Sequence, residues 1–150
     1  MILLTRTQRA QLLANGRQGD VDHIPVVKFY NPLGAGVWLA TELNEDDDIM
    51  FGLADIGYPE LGSWCFGELE AIRLPFGMGI ERDVLFTGMF PISVWAETAR
   101  LAGSISAAEQ ILSARFRSDA TWPLNPADTE NRKARNPAVW LYAFAPLSRR

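Results

Sequence analysis

The sequence is poor in the residues that build metal centres and covalent cross-links. Its one cysteine, Cys65, excludes an intrachain disulfide and fits a reducing compartment. Its one histidine, His23, excludes a multi-His or Cys/His zinc site within a single chain. No run approaches the roughly 18–20 apolar residues of a membrane span, and the opening MILLTRTQRAQLL reaches its arginines too soon for a secretory leader. These absences lead us to expect a soluble, cytoplasmic protein with no cofactor and no membrane partner.

What is present is ordinary in amount and uneven in placement. A chain of 150 residues with 48% apolar and 21% charged residues has the make-up of one globular domain able to bury its own core. We therefore expect a single domain over residues 1–150, with residues 106–150 as a C-terminal extension packed on it. No internal repeat or low-complexity segment interrupts it. The net charge is −4. Residues 31–105 set twelve acidic residues against Arg73, Arg82 and Arg100, whereas residues 106–150 set seven basic residues against four acidic ones. An acidic body bearing a basic tail either pairs internally or presents charge to a partner.

Local signals predict an α+β domain. Thr5 and Gln8 form a capping box for a helix that runs to Ala14 and stops at Asn15-Gly16. The runs 26–30, 37–43, 49–55 and 61–66 are β-branched or aromatic, and turn residues separate them, so short connections predict an antiparallel meander. A short helix over 68–73 and a fifth strand over 80–86 follow. Residues 93–101 read as a helix stopped by Gly103, and Ser106 with Glu109 as the capping box of another over 107–116. The final run 138–147, AVWLYAFAPL, is too apolar to be left in water, and its period does not distinguish a strand from a buried helix.

Three places could carry chemistry. In the fifth strand a period of two puts Ile80, Arg82, Val84 and Phe86 on one face, which turns Arg82 inward. A buried guanidinium needs a carboxylate, and Glu68 or Glu70 in the preceding helix would supply a structural ion pair. Glu42, Glu45, Asp46, Asp47 and Asp48 crowd enough oxygen ligands for a hard cation, but without EF-hand spacing they read first as a solvated hairpin tip. Arg115, Arg117, Arg132, Lys133 and Arg135 interleave with Trp122 as a nucleic-acid or partner contact would. Cys65, among Trp64, Phe66 and Leu61, reads as a small buried apolar residue, and His23 as a surface or strand-edge residue; no signature supports the two as a nucleophile and its base. No catalytic constellation emerges.

The pieces LLT, LLANG, IPVVKFYNPLG, VWLATELN, FGLADIG, PELGSWCFGELEAIR, GMGIERDVLF and SVWAETARLAGSI, in that order over about residues 1–105, resemble an uncharacterised family of small bacterial proteins. That family is borne on plasmids, phages and other mobile elements and is named only as a domain of unknown function. The resemblance implies a mobile-element accessory protein and lends no catalytic residue. Taken with the acidic body, it leads us to expect a non-enzymatic protein that binds a host protein, such as an anti-restriction or anti-CRISPR inhibitor. Two alternatives stand beside it: a small metal-dependent enzyme acting on nucleic acid or a nucleotide, and a nucleic-acid-binding accessory using the basic tail.

Overall fold

A computed structural model describes residues 1–46 and 48–120. Residues 121–150, with Trp122, Arg132, Lys133, Arg135 and the apolar run 138–147, and the acidic Asp47 lie outside the described residues. Helix α1 (Arg6–Gly16) is followed by strands β1 (Val27–Tyr30), β2 (Val37–Leu43), β3 (Ile49–Asp55) and β4 (Pro59–Cys65). Helix α2 (Phe66–Ala71), a single 3-10 turn, strand β5 (Glu81–Arg82) and helices α3 (Ile92–Ala102) and α4 (Ile105–Ala120) complete the order. The fold is α+β, as the sequence predicts.

The five strands form one antiparallel sheet in the order β4-β3-β2-β1-β5. Hairpin connections lay the first four side by side, and the chain then crosses to the far edge to add β5 beside β1. Alternation gives the sheet two apolar faces. Val27, Phe29, Trp38, Ala40 and Met50 pack with Leu12 of α1 and with Phe66 and Leu69 of α2. Leu39 and Leu53 pack from the opposite face with Trp95 and Ala99 of α3 and Ala108 and Leu112 of α4. The sheet is thus a middle layer between two helical pairs, and Trp95 and Phe29, both fully buried, anchor the two cores.

Helix boundaries follow side-chain chemistry. The Thr5–Gln8 capping box is present in both directions. Gly103 ends α3 at φ 94°, a left-handed conformation that glycine adopts without a Cβ penalty. Helix α4 starts earlier than Ser106 and Glu109 imply: Ser104 Oγ accepts from the Ala107 N–H, and Asp55 accepts from the Ile105 N–H. Glu109 is therefore free to face Lys28 instead of closing a cap. Strand β4 begins at Pro59, and α2 begins at Phe66, two residues ahead of the expected Glu68.

The fifth strand is the largest departure from expectation. Only Glu81 and Arg82 pair with β1, because Asp83 closes a local turn in which its Oδ1 accepts from the Leu85 N–H. The alternation that placed Arg82, Val84 and Phe86 on one buried face ends there. Val84 is exposed, and Arg82 is only partly buried.

Candidate functional site

The site is built where the end of α1 meets the β2–β3 hairpin. Between Ala40 and Glu42 the pairing of β2 with β3 shifts register, leaving Thr41 as an extra, unpaired residue. The shift inverts the alternation beyond it. Leu43, not Glu42, joins the core under α1, and Glu42 turns to the other face, where its Oε1 lies 3.9 Å from Nε2 of His23. A bulge leaves backbone groups without ladder partners, and Asn15 supplies one. Its buried side-chain amide donates to the Thr41 carbonyl at 2.9 Å. Gly16, the next residue, lies so close to β2 that a Cβ would sit 2.4 Å from the Leu43 carbonyl oxygen.

Beside this junction an open cleft of about 390 Å³ separates α1 from the hairpin. Leu43 and Met50 form its buried wall, and Arg17, Glu45 and Asp46 stand at its exposed rim. The described carboxylates of the acidic run diverge rather than converge. Glu42 faces His23, Glu45 pairs with Arg17, and Asp48 accepts from the Gly67 N–H at 2.9 Å. Among the described residues, no group of three His, Cys, Asp or Glu side chains is placed to hold a metal ion. Asp48 also ties the first turn of α2 to the hairpin, bringing Glu68 and Glu70, both exposed, to the same end of the sheet.

The expected clamp between Arg82 and Glu68 or Glu70 is replaced by another contact. Arg82 donates from Nη1 to the side-chain oxygen of Gln8 at 3.3 Å, so it is seated on α1 and not on α2. With only two residues in β5, Arg82 lies at a sheet edge and stays partly hydrated, which removes the need for a buried carboxylate. Helices α1 and α2 are joined instead by Arg9, whose guanidinium lies 5.6 Å from the centre of the Phe66 ring.

The charge cluster that stitches the sheet to α4 has Lys28 at its centre, a residue that sequence reading passed over. Lys28 Nζ lies 3.2 Å from Asp83 and 2.5 Å from Glu109, joining β1, the turn after β5 and α4. Next to it Tyr30 donates its hydroxyl to Glu81 at 2.8 Å. That hydrogen bond, then desolvation, then the charges of Glu81 and Asp83, hold the phenol above its ordinary range. Of the basic tail residues, Arg115 is half-buried and Arg117 exposed on α4.

Several residues that organise the fold carry no sequence signal. Asp22 accepts from both the N–H and the hydroxyl of Ser93 at the start of α3, and Asp55 does the same work for the start of α4. Each cap is distant in sequence from its helix, so no local spacing could have revealed it. His23, expected at the surface, is buried and bonded through Nε2 to the Gln18 carbonyl. Cys65 is half-buried at the N-cap of α2, not buried as an apolar filler.

Among the described residues, no helix is long and apolar enough to cross a membrane. No curated protein and no solved structure matches the chain. A family model does: residues 3–106, from the segment leading into α1 to the first turn of α4, fit the model described as a protein of unknown function (DUF2958). The chain belongs to that family.

Proposed function

We propose that this protein is a non-enzymatic accessory of a mobile element that binds a host protein through the acidic end of its sheet. One observation carries the reading. Many acidic side chains are absorbed by the fold, Asp22, Asp48 and Asp55 as helix caps and Asp83 and Glu109 on Lys28, whereas Asp46 at the rim of the α1–hairpin cleft and Glu68 and Glu70 on α2, whose first turn Asp48 ties to the same hairpin, remain exposed. Three exposed carboxylates thus share the hairpin end of the sheet, one of them at the rim of a concave surface. Such a surface speeds encounter with a basic patch. A nucleic-acid-handling host protein, such as a restriction or CRISPR-type nuclease, presents that basic patch, and the acidic end serves as a partial mimic of its nucleic acid.

The test is charge reversal at exposed positions that the fold does not use. Asp46→Lys, Glu68→Lys and Glu70→Lys combined should leave the melting temperature within a few degrees of wild type. They should abolish capture of the host partner and remove any benefit to a plasmid or phage in a challenge assay. Undiminished capture and protection by the triple variant would overturn the assignment of this end.

A further inference from the structure

Resting on the reading of the hairpin end as a binding surface, we propose that the partner docks there as an extended segment, basic side chains alternating with apolar ones, that joins the edge of β4 as an antiparallel strand. In an antiparallel ladder the N–H and C=O of one residue face the same neighbouring strand, and successive residues face opposite ones. Asp48 accepts from the Phe66 N–H at 2.9 Å, and Ile49 accepts from the Asn44 N–H at 2.8 Å. Met50, Gly52 and Ala54 therefore bond toward β4, where Trp64, Gly62 and Glu60 meet them. Leu61 and Ser63, both exposed, turn their backbone donors and acceptors away from the sheet, and among the described residues β4 is the last strand on that side. The usual guards of an edge are missing. The register on β3 runs from Pro59 to Cys65 without a shift, no lysine lies in the strand, and its proline is the first residue. A regular edge of this kind is a template for strand addition.

Charge selects the occupant. Glu60 on β4 and Glu68 and Glu70 on α2, which follows it directly, are exposed. Bases at this end are engaged, Arg73 with the carbonyls of Glu70 and Ile72 and Arg17 with Glu45. Pairing β4 with a second copy would gather the acids of both chains, and like charges on facing strands oppose pairing, whereas basic side chains favour it. On the face that carries Glu60, a Cβ at Gly62 would meet nothing within 4 Å, which leaves room for a long basic side chain. On the other face Leu61, 44% exposed, offers an apolar neighbour. Ser63 also lines the α1–hairpin cleft, so edge and cleft form one continuous surface.

The probe is an acetylated, amidated hexapeptide of alternating lysine and valine, added to the full-length protein and read by amide hydrogen exchange in nuclear magnetic resonance spectra. Exchange at Leu61 and Ser63 should slow several-fold, while Gly62 and Trp64, already bonded to β3, stay unchanged; a glutamate–valine peptide should protect neither. With lysines beside Glu60, the valine N–H groups face β4, so N-methylation of the valines should abolish protection and N-methylation of the lysines should leave it. Equal effects, or the reverse preference, would overturn the proposal. Protection of Leu61 and Ser63 without peptide, constant or rising with protein concentration, would assign the edge to the chain itself or to a second copy and also overturn it. Ser63→Pro removes an outward donor and no ladder bond, so it should unfold within a few degrees of wild type and lose the protection at Leu61. If Ser63→Pro captures the host partner undiminished while Asp46→Lys, Glu68→Lys and Glu70→Lys combined do not, the acidic surface stands and the strand addition falls. The opposite pattern removes the acidic reading and leaves the β4 edge as the site.

Discussion

Replacing Gly16 by alanine sets two physical effects against each other. Gly16 is the last residue of α1, and its substitution can be judged from the helix or from the sheet. On helix propensity alone, alanine is favoured over glycine by up to about 1 kcal/mol. The packing says otherwise. A Cβ would lie 2.4 Å from the Leu43 carbonyl oxygen and 3.3 Å from its carbonyl carbon, both backbone atoms of β2 and so unable to rotate away. Relief requires α1 to retreat by most of an ångström, and the close-packed interior resists that at about 1–3 kcal/mol. The retreat also stretches the Asn15 bond to the bulge carbonyl, itself a net contribution of about 1 kcal/mol. Packing wins, and the expected net loss is about 1–3 kcal/mol.

Urea unfolding reads this directly, as a lower midpoint with an unchanged slope. Gly62→Ala is the control, because a Cβ there meets nothing within 4 Å. It should be neutral or stabilising by a few tenths to about 1 kcal/mol, since alanine is favoured over glycine within a strand. A Gly16→Ala protein as stable as wild type would refute the claim that this close approach fixes α1 on β2.

Three further outcomes follow from the same geometry. Asn15→Leu keeps the side chain's bulk but strands the buried Thr41 carbonyl, and should cost about 1–3 kcal/mol in the same assay. Asp22→Ala and Asp55→Ala each remove a remote helix cap and should each cost about 1 kcal/mol, additively because they serve different helices. The raised Tyr30 phenol binds its proton more tightly when folded than when unfolded. It therefore contributes stability that is fully present below the ordinary tyrosine range near pH 10 and lost as pH rises through the folded value. Tyr30→Phe should flatten the loss of stability above pH 10, and Glu81→Gln should lower the midpoint of the Tyr30 absorbance titration; a titration unmoved by Glu81→Gln would remove the hydrogen bond as its cause.

What was legible in the sequence was whatever is encoded within a few residues. The Thr5–Gln8 box, the Gly103 stop and the hairpins of β1 to β4 depend on neighbours along the chain, and those signals located the elements to within a few residues. What could not be read depends on pairs far apart. Asp48, Asp22 and Asp55 cap first-turn N–H groups of α2, α3 and α4 from positions with no fixed spacing from the helices they start, Asp55 alongside the local cap Ser104. The bulge at Thr41 turns Glu42 away from the core under α1, a reversal invisible to simple alternation. The same rule overextended β5, where the side chain of Asp83 diverted the backbone into a turn and placed Val84 in solvent.

This division bears on where function should be sought. The pieces by which the chain resembles its family are largely accounted for by the fold: LLANG supplies Asn15 and Gly16 at the bulge, FGLADIG contains the cap Asp55, and IERD contributes Glu81 to Tyr30 and Asp83 to Lys28. Residues engaged in this way cannot be changed without loss of stability, so a binding defect at any of them is ambiguous. Exposed residues that the fold leaves unused give the opposite case. A defect at Asp46, Glu68 or Glu70 with an unaltered unfolding midpoint can only be a defect of the surface. Comparing the two sets in one binding assay separates scaffold from interface: if only the scaffold variants lose partner capture, and only in proportion to their loss of stability, the acidic end is not the binding surface.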